Sequence, residues 1–252
     1  APMSAWIEAE WPAPPGVRAI TTTRHGLGRS KPPFDAFNLG IRNGDEIDAA
    51  MANRAALSEA LRLPSAPRWL KQVHGTTVVH FDDAAASPDI EPEADAAVTS
   101  SPDVVLAILT ADCLPVVFAA KDGHEIAAAH AGWRGLAAGV LEATVQAMKT
   151  PPDRLIAWLG PAAGPDAYEI GEEVRDAFVA HDTHAASAFA ATRPDHWRVD
   201  LFALARQRLH ALGMADADIH GGNRCTISEP EHFFSHRRDG RSGRIATLAW
   251  IE

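Results

Sequence analysis

Cysteine is scarce: only Cys113 and Cys225 occur in 252 residues, which excludes a disulfide framework and leaves at most one bridge between them. Positive charge is also short. Lys and Arg number 23 against 33 Asp and Glu, a net charge of −10 with the 12 histidines counted as neutral. A surface of that sign repels a phosphate backbone, so no nucleic acid is expected as a partner. Local basic spots remain, with Arg241 and Arg244 close to Arg237-Arg238, and these suit a small anion. No apolar run nears the roughly 20 residues of a membrane span, and no charged-then-apolar leader opens the chain. The start APMSAWIEAEW lacks an initiator Met, which fits processing. A soluble cytoplasmic protein is the expectation. Several catalytic signatures are missing too: there is no Walker A loop, no Rossmann glycine fingerprint, no CxxC pair and no Gly-x-Ser-x-Gly.

What is present supports a sizeable core, with 46% hydrophobic and 22% charged residues, a balance that argues against disorder. ITTTRHGLGRSKPPFDAFNLG, from Ile20 to Gly40, reads as a strand leading into a long loop. DEIDAAMANRAALSEALRL, residues 45 to 63, has apolar residues at helical spacing, acids at its front and Pro64 behind, so it predicts a helix. RWLKQVHGTTVVHF reads as two strand pieces hinged near Gly75, and DDAAASPDIEPEAD as an acidic loop. VVLAIL, LPVVFAA and EIAAAHA are three short strands, the last two joined through Asp122-Gly123, a hairpin signal. GWRGLAAGVLEATVQAMK predicts one helix, RLIAWLG a strand, YEIGEEVRDAFVAH and VDLFALARQRLHALG two helices about a polar joint, and RIATLAW a closing strand. Strands gather before helices appear, so the pattern is mixed α+β or layered α/β rather than strict βαβ repetition.

LAILTADCLPVVF, residues 106 to 118, breaks two apolar runs with a carboxylate beside a thiol. Cys113 there, His74 in QVHG and His130 in AAAHAGWRG all sit where apolar strands end. Two imidazoles and a thiolate with an open position suit a catalytic zinc site or a copper site. The plain alternative is a buried Cys filling space and two hydrogen-bonded histidines; spacing does not decide between them. HEIAAAH superficially resembles a zinc-protease helix, but His124 and His130 are six apart. On a strand that separates them by about 20 Å, too far to share one metal.

Longer stretches carry a specific resemblance. TTTRHGLG, FNLG, WLKQVHG, TADCLPVVF, IAAAHAGWRGL, LGPAAGPDAYEIGEEV and CT…FFSHRRDG…GR together resemble the YfiH family, also called multicopper polyphenol oxidase (laccase-like) proteins or peptidoglycan editing factors. The similarity runs from about Thr21 to Ile251. It implies one domain over residues 1–252, a layered α-β-β-α sandwich of mixed α/β class, often a homodimer. It also implies zinc, or alternatively copper, held by His74, Cys113 and His130. Two departures stand out: Arg42 in FNLGIRNGDE replaces a common His, and His236 in FFSHRRDG replaces a common Tyr.

The activity that the resemblance implies is zinc-dependent purine nucleoside phosphorolysis, on adenosine, inosine, guanosine and methylthioadenosine, with adenosine deaminase activity. The expected partners are therefore a purine nucleoside and phosphate. Phosphorolysis must hold an anion beside a developing sugar cation, a task for guanidinium forks, so Arg42, Arg134, Arg237 and Arg238 are candidates. Deamination needs an activated water and a carboxylate that does not bind the metal. Asp112 is the candidate, acting on protons or orienting a ligand His. Asn38 and Asp45 are weaker candidates for ribose hydroxyls, against loop-capping roles. Cys225 is expected to support the loop carrying Arg237. A copper phenol oxidase and a hydrolase editing cell-wall precursors are the alternatives; the absence of any His-x-His pair speaks against the first.

Overall fold

Two twisted sheets stacked face to face organise the computed structural model, which describes residues 4–86 and 90–252. In chain order the strands are β1 (Trp6–Glu8), β2 (Val17–Thr22), β3 (Val78–His80), β4 (Ala96–Thr99), β5 (Val105–Thr110) and β6 (Leu114–Ala120). They continue with β7 (Ile126–Ala131), β8 (Leu155–Leu159), β9 (Glu169–Gly171), β10 (Phe189–Arg193), β11 (His196–Val199), β12 (Ile219–Gly221) and β13 (Ile245–Ile251). The helices are α1 (Ile47–Leu61), α2 (Trp133–Ala138), α3 (Val140–Ala147), α4 (Glu172–His181), α5 (Leu201–Ala211) and α6 (His236–Asp239). The larger sheet has the order β12-β8-β6-β7-β4-β3 and the smaller β1-β2-β13-β5, with a third, three-stranded sheet β10-β11-β9 to one side.

Alternation of side chains along each strand builds the layers. On β6, Leu114, Val116 and Phe118 face the helices, packing in one cluster with Leu136, Leu141 and Leu204. Val117 and Ala119 point the other way, into the space between the sheets, where Leu106 and Ile108 of β5 and Ala249 of β13 meet them. The far face of the smaller sheet, through Ile20, Val105, Ala107 and Leu248, packs on Leu57 and Leu61 of α1 and on Phe37. The result is the expected α-β-β-α stack, in which both sheets are covered on both faces. Among the described residues no helix is long and apolar enough to cross a membrane.

Several local expectations change. The run from Gly132 to Lys149 forms two helices, because Gly139 at φ 103° ends α2 and starts α3. YEIGEEV begins as strand β9, which pairs with β11, and turns helical only at Glu172. The polar joint after it is itself structured, as the β10-β11 hairpin. WLKQVHG makes no strand; isolated bridges Arg68↔Leu106 and Lys71↔Glu93 and the Gln72 side chain on the Leu109 backbone hold this stretch, and regular pairing waits until Val78. Helix α1 is shorter than residues 45 to 63 at both ends: the Asp45 carboxylate is taken up by Ser30 and Asn38 at the front, and Arg62 turns left-handed at φ 52° behind. The Asp122-Gly123 hairpin forms as expected, with Gly123 at φ 81°. Part of the acidic loop reading, residues 87–89, lies outside the described residues.

Candidate metal centre

The chain passes from one sheet to the other at the interruption Ala111-Asp112-Cys113. Strand β5 belongs to the smaller sheet and β6 to the larger, so the three residues form a sheet-switching corner. Asp112 takes the left-handed conformation there, at φ 96°, one that Asp tolerates better than most residues. Its carboxylate is nearly buried. Oδ1 accepts from the Thr226 hydroxyl at 2.7 Å and Oδ2 from the Arg237 backbone N–H at 2.7 Å. The corner thereby delivers Cys113 to the mouth between the sheets. On β7 the same alternation that buries Ile126 and Ala128 between the sheets points His130 that way at the strand's end. His74 arrives from the loop before β3 at φ 62°.

The three donors meet. The ligand atoms of His74, Cys113 and His130 all lie within 4.8 Å of one another, with Cys113 Sγ 3.9 Å from His74 Nε2. The two imidazoles stand edge to face, centroids 4.8 Å apart. His130 is buried, Cys113 half-buried and His74 exposed, so the group is closed behind and open in front. Burial pushes the Cys113 thiol up, but His130 and His74 beside it outweigh this and bring it well below the usual thiol range. Burial likewise lowers His130, and the facing Cys113 and Asp95 override it and raise it. A thiolate between two imidazoles, with a fourth position free, is a donor set that suits zinc or copper. Gly132 is required at the back wall, because a Cβ there would stand 2.8 Å from Cys113 Sγ.

Asp95, just before β4, was not singled out in the sequence, yet it accepts from His130 Nδ1 at 2.7 Å. The His-orienting role considered for Asp112 therefore belongs to Asp95, while Asp112 braces the corner. Burial pushes the Asp95 carboxyl up, but hydrogen bonds from His130 and the Gly75 and Val73 backbone hold it below its usual range. Only an alternating-strand reading of EADAAVT, with an acid at its buried start, hints at it.

In front of the donors lies a cavity of about 560 Å³, a size that suits a small organic ligand. Arg42, Arg134, Arg237 and Arg244 line it. Arg134 stacks on Trp133, 4.6 Å from the ring centre, and Arg237 lies 5.2 Å over Tyr168. Among the described residues neither is paired with a carboxylate, whereas Arg42 is bound to Glu91 at 3.1 Å. Arg238 is not at the cavity: its guanidinium donates to the carbonyls of Thr226, Ile227 and Phe233 and to Asp239. Asn38 and Asp45 are absent from the lining as well. Asn38 is fully buried and spends its amide on Gly40, Asp45, Asn43 and the Arg244 backbone, so both residues shape the loop instead of facing a ligand. Cys225 packs against Gly164, whose N–H it accepts at 3.2 Å. Tyr168 is a lining group that the sequence did not single out, and Arg244, noted there only as part of a basic spot, lines the cavity as well.

The layered α/β sandwich collects two histidines and a cysteine at the open edge between its sheets, a group that could hold a metal ion. The chain belongs to the family whose model is described as multi-copper polyphenol oxidoreductase laccase, which matches residues 18–252. It is 58% identical to a Xylella fastidiosa protein named purine nucleoside phosphorylase, over 98% of this chain and 97% of that one. Escherichia coli YfiH, also named a purine nucleoside phosphorylase, is 49% identical over 99% of this chain and all of its own. The crystal structure of a Neisseria meningitidis protein superimposes with a TM-score of 0.92 at 43% identity, covering 99% of this chain and 100% of that one. YlmD from Geobacillus stearothermophilus gives 0.90 at 30% identity, covering 99% and 97%.

Proposed function

We propose that the chain is a zinc-dependent purine nucleoside phosphorylase, acting on adenosine, inosine, guanosine and methylthioadenosine, with adenosine deamination as a second activity. The observation that carries the reading is one cavity lined both by three convergent donors and by the guanidiniums of Arg134 and Arg237, which among the described residues pair with no carboxylate. The donor set, one sulfur and two nitrogens with an open side, fits zinc. Zinc so held would supply Lewis acidity and an activated position for a nucleophile or leaving group.

The rest of the chemistry falls to side chains. Arg134 and Arg237 are the arginines free to grip phosphate, and their stacking on Trp133 and Tyr168 holds the forks in place without neutralising them. Arg42 is the weaker candidate, since Glu91 already offsets its charge. Leu70, Leu109 and the Trp133 ring offer the apolar surface on which a purine can lie while water is excluded. A phosphate beside the sugar then stabilises the positive charge that develops as the glycosidic bond lengthens. The deaminase activity is favoured by the open front of the centre alone. Among the described residues a single three-donor group was found, and multicopper oxygen chemistry requires further histidine sets, so the copper oxidase alternative has no second site to stand on.

Incubation of pure protein with inosine is expected to release hypoxanthine only when phosphate is supplied; release indifferent to phosphate would remove the phosphorylase reading. Arg237→Ala and Arg134→Ala are each expected to lower kcat/KM for phosphate by about 10–100-fold, the loss of one charge-assisted hydrogen-bond pair. Lysine at either position should recover only part of it, because an ammonium cannot reproduce the fork. Initial rates at varied phosphate and fixed inosine give the numbers.

A further inference from the structure

Asp95 is wholly buried and does not itself line the cavity, yet four N–H groups converge on its carboxylate. Oδ1 accepts from the backbone of Val73 at 3.1 Å and Gly75 at 2.9 Å. Oδ2 accepts from the backbone of His74 at 2.9 Å and from His130 Nδ1 at 2.7 Å. Three successive backbone N–H groups turned towards one anion make a nest, and here the nest closes on the residue whose φ is 62°. That conformation costs a non-glycine residue roughly 1–2 kcal/mol, and the charge-assisted hydrogen bonds offset it. The same carboxylate can only accept, so the His130 Nδ1 that faces it carries a hydrogen and Nε2 is the nitrogen turned towards Cys113 and His74.

We infer that Asp95 is the positioning residue that assembles the metal centre: one carboxylate fixes the ring of His130 and the backbone turn that presents His74, before any ion arrives. The inference rests on the metal reading of the site and is independent of which substrate is turned over. Both imidazole arms depend on a group that meets neither ion nor substrate, while the third donor, Cys113, is set separately by the Asp112 corner. Asparagine, nearly the same shape, cannot take over. With its NH2 in the Oδ1 place it faces the N–H groups of Val73 and Gly75. In the Oδ2 place it faces His74 N–H and His130, and the ring must then present a lone pair at Nδ1 and a hydrogen at Nε2, the atom an ion needs.

The test compares the full-length wild type with Asp95→Asn, each stripped of metal and titrated with zinc against a chromogenic chelator. Zinc affinity is expected to fall about 10–100-fold, and the cobalt-loaded variant at saturation should show altered ligand-field bands. A residue needed only for folding would lower the melting temperature and leave both readouts alone, which would overturn the inference. So would a zinc dissociation constant within about threefold of wild type, against the usual effect of losing such a partner. Hydrogen exchange on the metal-free wild type does not depend on the variant folding. The Val73, His74 and Gly75 amides should be protected without zinc, and exchange at the rate of an open loop would refute preassembly. A wild type that binds no zinc would end the metal reading and this inference with it; tight binding by both proteins would end this inference alone.

Discussion

Cys113→Ser is expected to leave a folded protein that retains less than about a tenth of the wild-type zinc after dialysis, a larger loss than removal of an outer partner brings. The reason is electronic more than steric. The pair of imidazoles draws the Cys113 thiol well below its ordinary range despite its burial, so the site holds a thiolate ready to bind. A serine hydroxyl stays protonated beside the same imidazoles and is a harder, weaker ligand. Since the residue is half-buried at a corner braced through Asp112 rather than through sulfur, the metal-free proteins should melt at nearly the same temperature. Zinc at a thousand times its dissociation constant should stabilise the wild type by about 4 kcal/mol, a gain the variant lacks. Metal analysis beside paired melting curves decides the matter: stoichiometric zinc in the serine protein would mean that the sulfur is not a ligand.

Gly132→Ala tests the same centre from its back wall. The backbone at Gly132 has φ −66° and ψ 168°, a conformation that alanine adopts freely, so no strain arises from the chain itself. The added Cβ would lie 2.8 Å from Cys113 Sγ and 3.2 Å from His74 Cδ2. Two of the three donors must move, and metal sites tolerate only a few tenths of an ångström. Zinc affinity and phosphorolysis should each fall by at least about tenfold, comparable with loss of an outer partner, while the circular dichroism spectrum is unchanged. Gly213→Ala is the contrasting control. Gly213 has φ 108° and only Pro152 Cβ near it, at 3.8 Å, so alanine there should cost about 1–2 kcal/mol through backbone strain and leave zinc binding intact. Equal zinc affinity in the Gly132→Ala protein and the wild type would contradict the packing just described.

Much of this centre could be read before any fold was known, and the part that could not has a physical explanation. His74, Cys113 and His130 were each visible as polar residues ending apolar runs, and the ADCLP and HAGWRG stretches pointed to a family. Asp95 was not visible, because its importance lies in facing the backbone of residues 73–75 and the ring of His130 across the sheet. Asn38 and Asp45 looked like ligand contacts because loop asparagines and aspartates serve both ligands and turns. Their hydrogen bonds turned out to be spent within the loop. Among the arginines, type and spacing made four equivalent; only position separates Arg238, locked onto carbonyls, from Arg134 and Arg237.

Local chemistry set many of the elements: short continuous apolar runs wrote β5, β6 and β7, buried on both faces, Asp-Gly made the β6-β7 hairpin, and apolar periodicity laid down α1. Short-range rules end there. Which sheet each strand joins, where Gly139 splits a helix, and that the Asp112 corner carries the chain between sheets were settled by burying both faces of both sheets at once. Convergence of three donors from residues 74, 113 and 130 is a property of that packing, since a linear text holds order and spacing but no distance between strand ends.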